Sequence, residues 1–258
     1  MRMAHSYIRR VSRATSEQTA TSDTFRAERK QHRDRCADLK NSLARFRDRI
    51  VPGAFGKLYQ RVESYSMMSY ARLKGIYTGA CDVLDRGIAG DFVECGTARG
   101  GCAGLMALTR KQRKASNQIW IFDTFEGLPP PSEGDPDYDL AKTREGTCRG
   151  EFDEVKGLLE KLDVFTDIKM VKGLFQDTVA VSDVDAISLL HLDGDWYDST
   201  KVCLDHLYDK VTPGGVIQID DYGHWAGARK ALHEFFDTRG IRVKLKYLDY
   251  TGRQFVKP

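Results

Sequence analysis

The chain has 258 residues, 41% hydrophobic and 30% charged, with a formal net charge of +3. That is the composition of a folded globular protein of one large domain, or one domain with an appendage, and it excludes a largely disordered chain. No apolar run is long enough to span a bilayer, and six cysteines without CxxC pairing or zinc-ligand spacing argue against a metal finger and fit a reducing cytosol.

The charge is uneven. Residues 1–50 carry 13 Lys+Arg against 6 Asp+Glu, whereas the remainder carries 27 against 31. A basic arm suits nucleic acid, a membrane surface or a partner subunit, or is simply a solvated helical extension. The first 15 residues are Arg-rich and acid-free, faintly like an organellar presequence, but they lack the apolar core of a secretory signal. A cytoplasmic enzyme with a polar start is the simpler reading. Residues 1–23 read as poorly ordered. From Thr24 to Ile50 the pattern is helical, with Leu39, Leu43 and Phe46 forming one narrow apolar stripe. Such a helix needs a surface, either the core or another subunit, so a homodimer or higher homo-oligomer is expected. Val51-Pro52-Gly53 ends it, dividing a basic extension (1–50) from the main domain (51–258).

A second helical stretch is predicted from about Ser66 to Arg86. Strands then alternate with helices. The strands are Asp91–Cys95, Ile119–Phe122, Ile168–Val171, Ile187–Leu192 and Val216–Ile219. The helices fall near Gly101–Arg113, Phe152–Leu162, Ser199–Tyr208 and Ala226–Asp237. Such alternation builds crossover units and a parallel sheet, an α/β doubly wound fold. The tail differs: Arg242–Leu248 and Gln254–Lys257 are joined across Asp249–Gly252, too short a link for anything but antiparallel pairing.

Two features carry chemistry. The first strand runs into Glu94-Cys95-Gly96-Thr97-Ala98-Arg99-Gly100-Gly101, a glycine turn opening a helix, where a ligand can approach the backbone. The second strand ends at Asp123, placed to bind the two hydroxyls of a ribose. NAD enzymes share that logic. Glu94, however, would repel a pyrophosphate and suits a cationic amino-acid ligand, which favours S-adenosylmethionine. The second feature is acidic: Asp193-Gly194-Asp195-Trp196 follows the fourth strand and Asp220-Asp221-Tyr222 the fifth. Carboxylates gathered at the carboxyl edge of a parallel sheet repel one another unless a cation intervenes, and an all-oxygen set suits Mg²⁺. Helix capping by Asp198 or Ser199 is the competing reading of part of this cluster. His191 reads as a satisfied strand histidine, and His224 as a residue near enough to touch substrate.

At these residues the sequence resembles the macrocin O-methyltransferase family of sugar O-methyltransferases. The matching segments are Gly90 to Gly101, Phe122 to Pro129, Leu192 to Thr200, and Pro213 to Tyr222. They lie within about residues 66–238, leaving the first 50 outside. The resemblance implies a seven-stranded, Rossmann-like class I methyltransferase sheet, mostly parallel with an antiparallel last strand. It implies S-adenosyl-L-methionine held around Glu94, Gly96, Thr97, Gly101, Asp123, Phe125, Gly127, Gly173, Phe175, Gln176 and Asp193. It also implies Mg²⁺ on Asp193, Asp220 and Asp221, with Asp195 as general base, and homo-oligomers. Family members often carry a bulkier residue where Ala98 stands.

The expected substrate is a glycoside or deoxysugar with vicinal hydroxyls that chelate the metal together. A catechol meets the same geometry, and Trp196 and Tyr222 can stack on either ring. The long segment from Gly127 to Gly150 is expected to close over the cofactor as a lid. The rival readings are an NAD-linked oxidoreductase, which has no use for Asp220-Asp221, and a nucleic-acid binder working through the basic arm.

Overall fold

A computed structural model describes residues 34–258. The chain divides into two compact units, residues 1–43 and 44–258. In the first, residues 34–43 are helical; in the second, so are residues 44–50. The expectations for residues 1–23, and for the helix before residue 34, lie outside the described residues.

The second unit continues with α1 (Ala54–Val62), a 3-10 turn (Glu63–Tyr65) and α2 (Tyr70–Asp85). Then follow β1 (Asp91–Cys95), α3 (Gly101–Arg113), β2 (Ile119–Asp123), α4 (Tyr138–Lys142), α5 (Phe152–Lys161), β3 (Ile168–Lys172), α6 (Phe175–Thr178) and β4 (Ile187–Leu192). The chain ends with α7 (Tyr197–Leu207), β5 (Val211–Ile219), α8 (Ala226–Arg239), β6 (Lys246–Tyr247) and β7 (Arg253–Val256). The seven strands form one sheet in the order β3-β2-β1-β4-β5-β7-β6. β1 to β5 are parallel, and β7 runs antiparallel to both β5 and β6. The expected α/β sheet with an antiparallel end is therefore present. Among the described residues no helix is long and apolar enough to cross a membrane.

Element ends shift for local reasons. α2 starts at Tyr70, not Ser66, because the Ser69 hydroxyl accepts the Arg72 backbone N–H and caps it. The expected strand Arg242–Leu248 shrinks to two residues, since Ile241, Val243 and Leu245 pack against the core beneath α8 instead of pairing.

The two sheet faces follow strand alternation. Phe92, Leu189 and Val216 point to the side covered by α1, α2, α3 and α5. Val93, Cys95, Leu190, Leu192, Ile217 and Ile219 point to the side covered by α7 and α8. On the first face the register also lines up a polar row: Glu94 pairs with His191, His191 with Gln218, and Gln218 with Gln254. All four are buried, so each needs a partner. The Gln218 and Gln254 amides donate to the carbonyls of Arg72 and Gly75 in α2, at 3.2 and 3.0 Å. Gly75 permits that approach, because a Cβ there would lie 2.6 Å from Gln218 Oε1. The row thus holds α2 where Arg72 reaches the carboxyl end of β5.

Candidate active site

A cavity of about 660 Å³ opens at the carboxyl edge of the sheet. Backbone bonds carry the sheet ladder one step past the strands. Asp193 N–H donates to Cys95 O at 2.8 Å, and Asp220 N–H to Leu192 O at 2.9 Å. That step brings the acidic segments level with the glycine turn. Gly96 adopts φ +87°, and a Cβ there would meet Asp193 O at 1.9 Å, so only glycine lets the two segments approach so closely.

Of the sequence-expected residues, Glu94, Gly96, Thr97, Asp123, Gly127, Phe175, Gln176, Asp193, Asp195, Asp220 and Asp221 line this cavity. Gly101, Phe125 and Gly173 do not. Gly101 starts α3 tight against Tyr65 and Ser66, and the Phe125 ring is buried edge-on to Phe152. The Asp123 carboxylate closes the turn: Oδ2 accepts Thr97 N–H at 2.7 Å and Ala98 N–H at 3.2 Å, and Oδ1 accepts Phe125 N–H at 2.7 Å. Asp123 also lines the cavity, and a carboxylate oxygen can accept more than one hydrogen bond. Burial raises the Asp123 pKa even against those three donors. Glu94 is occupied as well: Oε2 accepts the Thr97 hydroxyl at 2.6 Å, and Oε1 lies 3.2 Å from His191 Nδ1.

His191 is more than a satisfied strand histidine. It is fully buried between Glu94 and Asp220, with Nε2 3.6 Å from Asp220 Oδ1. Burial alone would lower its pKa, but the Asp220 and Glu94 carboxylates outweigh burial and raise it to about 9. Both His191 Nε2 and Asp220 Oδ1 lack a hydrogen-bond partner.

The acid cluster divides around Arg72, which sequence reading missed. Its guanidinium pairs with Asp220 Oδ2 and, at 3.1 Å, with Asp249 Oδ2. Carboxylate oxygens, one each from Asp193, Asp195 and Asp221, lie within 4.8 Å of one another, and so do a His191 ring nitrogen and one oxygen each from Asp193 and Asp220. Burial and mutual repulsion push Asp193 and Asp221 well above the usual carboxylate range. Burial likewise raises Asp195 to about 6, opposed by a 2.7 Å hydrogen bond from Trp225 Nε1 to its Oδ1. Mutually repelling carboxylates, two buried (Asp220, Asp221) and two half-buried (Asp193, Asp195), with an orphaned oxygen on Asp220, are a donor set that fits a hard dication. The capping alternative is not realised: α7 and α8 have Trp196 and Trp225 at their N-caps, with no side-chain cap bond from either.

The expected ring platforms are also displaced. Trp196 is 2% exposed, packed against Trp225, and the Tyr222 hydroxyl bonds His233 at 2.9 Å, away from the cavity lining. Trp225, Tyr250 and the expected His224 line it instead.

Comparison with known proteins reads this arrangement. A model of the family described as "Macrocin-O-methyltransferase (TylF)" matches residues 8–257. The chain belongs to the macrocin-O-methyltransferase family. The match reaches past the motif-bearing 66–238 and takes in most of the basic arm, correcting the expectation that the first 50 residues fall outside it. Within this O-methyltransferase family, the chain is 30% identical over 195 residues to demethyldecarbamoylnovobiocin O-methyltransferase of Streptomyces niveus, covering 73% of this chain and 74% of that one. It is 29% identical over 194 residues to the 8-demethyl-8-(2,3-dimethoxy-alpha-L-rhamnosyl)-tetracenomycin-C 4'-O-methyltransferase of Streptomyces olivaceus, with 73% and 74% covered. The solved O-methyltransferase NovP superposes with a TM-score of 0.72 at 28% identity, over 75% of this chain and 82% of that one. The chain is therefore a methyltransferase by family and by fold, and the oxidoreductase reading is set aside.

Proposed function

We propose that this enzyme transfers a methyl group from S-adenosylmethionine to a sugar hydroxyl of a glycoside or deoxysugar with vicinal hydroxyls, assisted by Mg²⁺ held by Asp193, Asp220 and Asp221. The observation that carries the reading is one cavity joining the glycine turn and Asp123 to four carboxylates. A relative named as the 4'-O-methyltransferase of a rhamnosyl-tetracenomycin-C supports the sugar class.

S-adenosylmethionine supplies an already electrophilic methyl group, so the chain's task is alignment and exclusion of water. Bound Mg²⁺ supplies Lewis acidity that makes an alcohol easier to deprotonate. Asp123 is the partner for the ribose, and Phe175 and Gln176 line the same cavity. Asp195 is the proton acceptor: Trp225 fixes its Oδ1, and its other oxygen stays available. Trp225 and Tyr250 form the wall on the acceptor side. We assign catalysis to residues 51–258, the basic extension to 1–50, and the working form to a cytoplasmic homodimer or larger homo-oligomer.

The test is an acceptor screen with labelled cofactor over deoxysugar glycosides, nucleotide sugars and catechols, with and without chelator. Transfer to a sugar, lost on chelation, is expected; transfer to catechols alone, or full turnover in chelator, overturns the reading. Asp193→Asn is expected to abolish transfer while calorimetry finds S-adenosylhomocysteine binding retained.

A further inference from the structure

We propose that Asp135 and Asp137, on the loop between β2 and α4, are positioning residues that lock the two acid-bearing segments into one site by capping α7 and α8 from outside. The proposal rests on the acid cluster's being the metal-assisted transfer site proposed above.

Asp135 is 5% exposed, and among the described residues no cation pairs with it. A buried carboxylate without a counter-ion needs strong donors. It finds them in Tyr197 N–H, at the first residue of α7, and in Asp137 N–H, each at 2.8 Å. Asp137 Oδ2 accepts Gly227 N–H, in the first turn of α8, at 3.1 Å. Helix N-termini leave unsatisfied N–H groups and favour negative charge. Both helices begin at a tryptophan, which cannot cap. The two tryptophans complete the tie: Trp196 Nε1 donates to Pro129 O at 2.8 Å, the rings meet edge-on at 4.9 Å, and Trp225 Nε1 holds Asp195.

Asp193 and Asp195 precede α7, and Asp220 and Asp221 precede α8. Strand pairing fixes β4 against β5 only up to their last residues. Beyond them the segments share two direct bonds, Asp220 N–H to Leu192 O and Asp195 N–H to Asp221 Oδ2, and the loop ties the helices that follow them from outside. The segment expected to close over the cofactor thus also carries, in its first half, a brace. Gly227 belongs to the same device, since a Cβ there would lie 2.5 Å from Asp135 Oδ2.

The full-length protein, Asp135→Asn, Gly227→Ala and a control at an exposed position of α4, Asp139→Asn, are compared by calorimetric titration with Mn²⁺ and with S-adenosylhomocysteine, and by hydrogen exchange. Asp135→Asn and Gly227→Ala act on one contact from opposite sides, so either suffices if the other fails to fold. Each is expected to weaken Mn²⁺ about tenfold or more and to speed exchange in residues 193–197 and 220–227. S-adenosylhomocysteine affinity is expected within about twofold of the parent, and Asp139→Asn unchanged throughout. Unchanged exchange in both segments overturns the proposal, as does faster exchange across the whole sheet with loss of S-adenosylhomocysteine binding. A parent protein that binds no Mn²⁺ counts against the proposed metal, and the exchange result then decides the brace by itself.

Discussion

Asp195 sits in left-handed backbone, φ +57°, a conformation aspartate tolerates better than most residues. Its amide donates to Asp221 Oδ2 at 3.0 Å, so the proposed base is tied to a proposed metal ligand. Asp195→Asn keeps that shape and removes the basicity. Methyl transfer is expected to fall about 10²- to 10⁴-fold with S-adenosylhomocysteine affinity unchanged, measured by single-turnover transfer and calorimetry. Trp225→Phe removes the donor that holds the Asp195 pKa down. The acidic limb of the pH–rate profile should therefore move to higher pH than in the parent. The aspartates were legible because strand-terminal position is visible in the chain. Arg72, Trp225 and the pairing of His191 with Glu94 were not. They depend on which strands adjoin and in what register, and residues 94 and 191 become neighbours only once β1 and β4 pair.

At the scale of elements, alternation of apolar runs with amphipathic stretches placed four of the five parallel strands and the four long helices to within two residues, whereas β5 begins at Val211, five residues before the expected Val216. The short pieces escaped. α1, α4 and α6 are nine, five and four residues long, too short to carry a periodic signal against turn-rich flanks. The glycine turn was recognised from its composition, but its second duty, clearing space for the Asp193 carbonyl, belongs to the joint between β1 and β4. Gly96→Ala should cost about 1–3 kcal/mol from backbone strain alone, with the clash adding to it. Thermal melting without ligand checks this: a melting temperature equal to the parent's would mean the joint has slack.

Across the whole molecule, the cofactor turn, the buried polar row and the acid cluster form one continuous electrostatic system. Without a cation, Asp195 holds a proton up to about pH 6 and His191 up to about pH 9. Both folded-state values are raised, so the stability linked to either proton is present at low pH and lost as pH rises through its value. A dication that replaces protons on carboxylates binds better as they leave. Asp193 and Asp221, both raised, must give up protons to hold the ion, so the rise in melting temperature given by a fixed Mn²⁺ concentration should grow with pH across the range in which the protein stays folded. Scanning fluorimetry across that range tests it, and a flat or falling increment would show that these acids do not bind the ion.

The strand order has one more consequence, for company rather than chemistry. A seven-stranded sheet ends in two open edges, each a template on which another chain can add. Here one edge is β3, where Lys169 and Lys172 are exposed, Lys169 lying 4.1 Å over the Trp120 ring. The other is β6, two residues long and beginning with an exposed lysine, Lys246. Charge guards one margin, and charge with brevity the other, so a concentrated solution of this enzyme should resist edge-to-edge polymerisation. Replacing Lys169 and Lys172 with threonine would remove one guard without touching the cavity.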